Sequence, residues 1–171
     1  MNQTTTPLQW NEALALDMPF MDDTHREFVD LLSKVVLAPA DDVLRAWTAL
    51  ILHTEDHFSQ EDRWMLATGF APGNCHSTQH KVILQVMHEG EQHGQQGDLT
   101  VVRQMAHELG LWFPQHAQSM DASLALHLRS AGYDPITGTV AAPAALPASP
   151  IQGCGGSRCA DPEVSAPSAV V

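Results

Sequence analysis

Basic residues are scarce in this chain of 171 residues, which has 8 lysines and arginines against 20 aspartates and glutamates. The resulting formal net charge of −12 argues against nucleic acid or anionic membrane as a partner, because both are bound through basic patches. Long apolar runs are also missing, and no stretch approaches the ~20 residues that a membrane-spanning helix needs. The composition therefore predicts a protein that binds neither nucleic acid nor membrane.

Cysteine is rare as well. The three cysteines are an odd number and do not suggest a disulfide framework, and Cys75 is expected to be a small packed residue. The first ten residues lack the basic start and the apolar stretch of a secretory signal. Both observations predict a cytoplasmic protein.

Strand patterns are almost absent, whereas apolar residues recur at the helical period in four segments. The predicted helices span residues 22–37, from Asp41 or Asp42 to Gly69, from about Asn74 to about Gly94, and from near Asp98 to before Gly132. Asp22 or Asp23 is positioned to cap the first helix. Long helices joined by short turns predict an all-α, up-down-up-down four-helix bundle that occupies residues 1–133.

The composition changes after residue 133. Residues 134–171 are rich in alanine, proline and serine and show no periodic pattern, which predicts a disordered C-terminal tail. Within it, Cys154 and Cys159 form a C-x4-C motif that is either incidental, a redox-sensitive loop or a site for a thiophilic metal. The tail is also where an unknown protein partner would bind, and the bundle itself is expected to be a monomer.

Histidine, in contrast, is abundant, with ten in the chain. Five histidines and two carboxylates lie where a four-helix bundle would direct them at one centre: His25, His57, Glu61, His76, His80, His116 and Asp121. Residues four apart share a helix face, so H-F-S-Q-E and H-S-T-Q-H each present two side chains in one direction. Each pair alone also arises by chance or as a surface pair, but together they indicate a metal site.

Imidazole and carboxylate ligands suit first-row transition metals. Five nitrogens and two carboxylates exceed the coordination number of a single ion, so two metals that share both carboxylates are expected. One spacing does not fit a regular helix: His116 and Asp121 are five apart, which turns the second side chain ~140° away from the first. Pro114 can bend this helix, but the role of Asp121 depends mainly on the family resemblance described next.

The chain resembles the hemerythrins, and in particular their single-domain bacterial members. The resemblance runs from Trp10 to about Tyr133 and depends on five motifs: W-N-E at 10–12, D-D-T-H at 22–25, H-F-S-Q-E at 57–61, H-S-T-Q-H at 76–80, and W-F-P-Q-H-A-Q-S-M-D at 112–121. All seven ligand positions of the family motif are filled in order and with the family's internal spacings.

The resemblance implies a non-haem centre of two oxygen-bridged iron ions. Its carboxylate bridges would be Glu61 and Asp121. One iron would be completed by His76, His80 and His116, and the other by His25 and His57. The second iron would keep an open position, at which dioxygen binds reversibly in this family.

Two pocket positions depart from the family. Phe113 stands where leucine is common and Ala117 where isoleucine is common. The leucine's counterpart packs over the dioxygen site, so we expect Phe113 to shield the open iron and Ala117 to leave a small void beside it. Trp112 is a further candidate for the wall of the centre, although helix-spaced aromatic residues more often belong to the core.

These observations predict a non-catalytic protein that binds dioxygen reversibly for carriage, storage or sensing. The alternative is a di-iron enzyme that acts on nitric oxide or peroxide, oxidises ferrous iron or repairs iron clusters. A metal-buffering protein is the third alternative. Of the remaining histidines, His53 lies one turn before His57, where it would either support a ligand, contact metal adventitiously or face solvent.

Overall fold

The structure, a computed structural model, describes residues 6–153. Its helices are α1 Pro19–Leu37, α2 Ala40–Ala67, α3 Cys75–Gln95, α4 Leu99–His116 and α5 Ala122–Ala131. A π-helical turn, Ala117–Asp121, joins α4 to α5, so the last predicted helix is one rod in three pieces. Two short 3-10 helices, Glu12–Leu14 and Pro143–Ala145, flank the bundle. Residues 6–153 contain isolated β-bridges but no strand, which confirms the all-α class.

The helices form an up-down-up-down bundle. Each helix packs against the next along the chain, and α4 packs back on α1, which closes the four-helix arrangement. The connections are short, beginning with only residues 38–39 between α1 and α2. Short connections force successive helices to run antiparallel as neighbours.

Two of the predicted helix starts are confirmed by their caps, and one was wrong. The Asn74 side chain accepts a hydrogen bond from the Ser77 amide, and the Asp98 side chain accepts one from Val101. Helix α1, however, begins at Pro19, whose missing N–H and fixed φ suit the first helical position. Asp22 lies in the first turn and accepts hydrogen bonds from the amides of residues 16 and 18.

The core consists of two apolar clusters along the bundle axis. The larger contains Phe28, Trp47 and Phe113, and the smaller contains Met21 and Trp64. Along α1, α2 and the last rod, the predicted ligands fall between the residues of one cluster and those of the other. The polar centre is therefore bounded at both ends by apolar packing.

The first part of the predicted tail lies against the bundle. We call residues 133–153 the C-terminal strap. Tyr133 and Val140 form an antiparallel bridge, and the Ile151 amide donates to the Gly69 carbonyl while the Ala71 amide donates to Ile151. The strap contains one 3-10 helix, Pro143–Ala145, and Ile151 near its end pairs with the loop between α2 and α3. Residues 154–171, including both tail cysteines, lie outside the described residues, and the boundary at residue 133 stays a prediction.

Cys75 is disulfide-bonded, so its prediction as a small packed residue was wrong. It is the first residue of α3 and lies a few positions after the loop that pairs with the strap. An odd number of cysteines leaves one unpaired but does not prevent the other two from bonding. Among the described helices, none combines the length and the apolar character required to cross a membrane.

Candidate metal centre

All seven predicted ligands converge on one buried centre. Helix α1 contributes one imidazole, α2 a histidine and a glutamate, α3 two histidines, and the rod of α4, the π turn and α5 the last pair. Each of the seven side chains belongs to a residue that is 4% exposed or less. Ionisable groups are rarely buried this completely unless they are paired or coordinate a metal.

The Glu61 carboxylate lies between two groups of imidazoles. Its Oε1 atom is 3.1 Å from Nε2 of His57. Its Oε2 atom is 3.3 Å from Nε2 of His80 and 3.5 Å from Nε2 of His76. One oxygen therefore contacts the α2 histidine, and the other contacts both histidines of α3.

The Asp121 carboxylate divides the imidazoles in the same way. Its Oδ2 atom is 3.3 Å from Nε2 of His25, whereas its Oδ1 atom is 3.0 Å from His76 and 3.1 Å from His116. The two carboxylates thus each direct one oxygen towards a group of three histidines and the other oxygen towards a group of two. A carboxylate that bridges two ions has this arrangement.

The π turn explains why Asp121 takes part although it follows His116 by five residues. Within the turn the amide of Ala122 donates to the carbonyl of Ala117, an i to i−5 hydrogen bond. One extra residue per turn brings positions five apart onto the same face. Pro114 lies just upstream, inside α4. The sequence identified the irregular spacing, but only the backbone shows how it is accommodated.

Several of the convergent atoms lie close together but are not hydrogen-bonded to one another. Nε2 of His25, His76, His80 and His116 and both oxygens of Asp121 are buried and lack a partner in hydrogen-bond geometry. Buried polar atoms without partners are costly, and coordination of a metal would satisfy them. Two sets of side chains could each hold an ion: Glu61, His76, His80, His116 and Asp121 in one, and His25, His57 and Glu61 in the other.

The charges at the centre depend strongly on one another. Burial by itself would raise the pKa of the Asp121 carboxyl, but contacts with His116, His25 and His76 hold that pKa well below its usual value. Burial likewise opposes the charged form of His76, yet Asp121 and Glu61 raise its pKa to about 10. The metal-free centre therefore favours ionised carboxylates beside a protonated imidazole.

Sequence reasoning missed the residues that hold the outer ring nitrogens. Nδ1 of His80 lies 3.1 Å from Oδ1 of Asp62, and Nδ1 of His116 lies 2.6 Å from Oε1 of Gln79. Phe58 stacks on the His80 ring with centroids 3.9 Å apart and planes 5° apart. The only available signal was that Asp62 and Gln79 directly neighbour ligands in the sequence.

The three predicted pocket residues occupy different sides of the centre. Phe113 is fully buried, meets the His25 ring edge-on with centroids 5.2 Å apart, and stacks on Phe28. Trp112 instead stacks on His116, with centroids 4.5 Å apart, on the side of the three-histidine group. Ala117 is buried in the larger apolar cluster. Phe113 is thus the predicted pocket residue that contacts the two-histidine group.

His53 lies behind His57 rather than in the centre. Its Nε2 atom is 3.1 Å from the carbonyl oxygen of Thr24, and its ring centroid is 6.2 Å from that of His57. It belongs to neither set of side chains that could hold an ion. The hypothesis of a direct metal contact therefore has no support from the geometry.

Comparison with known proteins agrees with this architecture. The family model of the hemerythrin HHE cation binding domain matches residues 17–126. A protein described as bacteriohemerythrin, from Ralstonia nicotianae, is 37% identical over 127 residues, which cover 74% of this chain and 93% of that relative. No solved structure matches the chain at a significant level.

Proposed function

The chain belongs to the hemerythrin family, and we propose that it is a non-haem di-iron protein that binds dioxygen reversibly and does not turn it over. The observation that carries this proposal is the division of the five imidazoles by two buried carboxylates. The similarity to the protein from Ralstonia nicotianae, which is described as bacteriohemerythrin, also supports the proposal.

The residues separate into two ligand groups with different numbers of donors. His76, His80 and His116 would complete one metal ion, His25 and His57 would serve the other, and Glu61 and Asp121 would be shared. An ion held by only two histidines would have one ligand fewer, which would leave room for a small exogenous molecule. When bound, the iron pair supplies an open coordination position and the electrons by which dioxygen is held.

The chain's own contribution is to enclose that position. Phe113 lies edge-on to His25 and is backed by Phe28, so apolar rings cover the two-histidine side. Apolar clusters above and below exclude water, which strengthens electrostatic contacts and limits proton access. Limited proton access favours release of dioxygen unchanged over its reduction, and this supports carriage, storage or sensing rather than catalysis.

The test is the visible spectrum of the iron-loaded, fully reduced protein while oxygen is admitted and then removed. Reversible binding predicts a charge-transfer band that appears with oxygen and disappears on deoxygenation over several cycles. The zinc-loaded protein is the control, because zinc can bind to the same side chains but has no redox chemistry. Immediate and irreversible conversion to the oxidised spectrum would contradict the proposal and favour an enzyme that consumes oxygen or a related substrate.

A further inference from the structure

Two histidines of the three-histidine group are held from behind by different kinds of side chain. Asp62 offers a carboxylate oxygen to Nδ1 of His80, and Gln79 offers an amide oxygen to Nδ1 of His116. With Nδ1 donating its proton outward, Nε2 of each ring presents its lone pair to the centre. The two rings are therefore fixed in the same tautomer by acceptors of different charge.

This difference in charge makes the two imidazoles unequal donors. A hydrogen bond to an ionised acceptor is roughly twice as strong as one between neutral groups. A carboxylate behind the ring also draws the Nδ1 proton away and makes Nε2 more basic towards a metal. His80, backed by Asp62, should therefore be a stronger metal ligand than His116, backed by Gln79.

Asp62 also fixes where the His80 ring lies. Asp62 contacts the edge of the ring at Nδ1, while Phe58 stacks on the face of the ring. Asp62 and Phe58 both belong to α2 and His80 to α3, so the contacts fasten one ligand-bearing helix to the other. The Asp62 side chain is 34% exposed, at a small cleft that Ala71 also lines, so it connects the buried centre to the surface.

We propose that Asp62 is a positioning residue that holds His80 in its metal-binding orientation and makes it a stronger imidazole donor than His116. The proposal rests on the proposed metal centre but not on its reaction with oxygen. Its consequence is a tightly retained metal ion at the three-histidine position.

The test measures how fast metal leaves the cobalt-loaded protein when an excess of chelator is added. Asp62→Leu removes the acceptor, and Asp62→Asn keeps its shape without the charge. Loss of a group that supports a metal-binding histidine typically costs about 10–100-fold in metal affinity. We expect a loss in this range for Asp62→Leu, seen as faster release, and a smaller loss for Asp62→Asn. The reverse exchange, Gln79→Glu, should slow release by giving His116 a charged acceptor.

Asp56→Asn is the matched control. Asp56 lies on the same helix and is also adjacent to a ligand, but it is exposed, so its substitution removes the same charge without touching His80. Release from Asp62→Asn and Asp62→Leu within about twofold of the Asp56→Asn rate would overturn the proposal. Thermal unfolding of the metal-free variants shows whether any effect reflects a loss of folding instead, and Gln79→Glu tests the same principle without removing a contact.

A spectroscopic readout separates positioning from a general structural effect. In proton NMR of the cobalt-loaded protein, the Nδ1–H of His80 should give a hyperfine-shifted, exchangeable signal. Asp62→Leu should make that signal exchange faster with solvent while the His116 signal is unchanged, and equal exchange in both proteins would contradict the proposal. If the unmodified protein takes up no metal, the proposed function itself fails, which is a different result.

Discussion

Oδ1 of Asp121 lies 3.1 Å from Nε2 of His116, although the two residues are five positions apart on one helical rod. The π turn Ala117–Asp121 makes this contact possible, because it adds a residue to a single turn and so brings position i+5 to the face of position i. π turns inside α-helices occur frequently at functional sites. Here the turn allows one rod to supply two groups to the centre.

The π turn can be tested by moving the carboxylate. Asp121→Ala should lose tightly bound metal, because each ligand group loses one oxygen of the shared carboxylate. Adding Met120→Asp places a carboxylate four residues after His116, which would restore the site on a regular α-helix but not on a π turn. We therefore expect metal content to stay low in the double variant. Recovery of two metal ions per chain would show that the rod is a regular helix.

Phe113 should control both the stability of the core and the lifetime of the oxygen complex. Phe113→Ala removes a fully buried ring, which costs about 3–5 kcal/mol in the free energy of unfolding and can be measured by urea denaturation. It also uncovers His25, so water should reach the two-histidine side and oxidation of the oxygenated protein should be faster.

Phe113→Leu is the more conservative variant, since it keeps apolar cover while losing the edge-on ring contact with His25. Its oxidation rate should fall between those of the unmodified protein and Phe113→Ala. Identical oxidation rates in all three proteins would remove Phe113 from the cover of the site.

The metal-free protein should become less stable as the pH rises above neutrality. The neighbouring carboxylates of Asp121 and Glu61 raise the pKa of His76 to about 10, from the usual 6.5. A raised pKa contributes stability that is complete below about pH 6.5 and is lost as the pH rises through about 10. Urea unfolding of the metal-free protein across this range should show the decline, and His76→Gln should reduce it. A flat profile in the unmodified protein would contradict the raised pKa.

The disulfide of Cys75 leads to a prediction about the tail. The sequence contains two other cysteines, Cys154 and Cys159, shortly after the strap residue Ile151 that pairs with Gly69 and Ala71. A peptide map made without reductant should therefore link the Cys75 peptide to one from residues 154–159. Cys75→Ser should abolish the link. Alkylation of all three cysteines in protein that has never been reduced would contradict it.

The strap itself could not be predicted from local patterns. Its residues are mostly small or proline, and the sequence offers no helical or strand periodicity there. What holds it is a set of main-chain contacts with a distant loop, such as those of Ile151 with Gly69 and Ala71, and packing of Pro147 against Gly69. The hydrogen bonds among these contacts use main-chain groups and not particular side chains, so composition does not reveal them.

The sequence by itself determined the bundle and the set of candidate ligands. Helical periodicity and the four-residue spacings within H-F-S-Q-E and H-S-T-Q-H are local properties, and they predicted which faces would be buried. The predicted helix starts near Asn74 and Asp98 were also local, because a capping side chain bonds an amide three residues away.

Only the tertiary structure decided how those faces meet. It divided the imidazoles between the two oxygens of each carboxylate, joined His116 and Asp121 through a π turn, and placed Asp62 behind His80. These relationships depend on the rotation and register of one helix against another. Rotation and register follow from packing summed over the whole interface, which no single stretch of sequence contains.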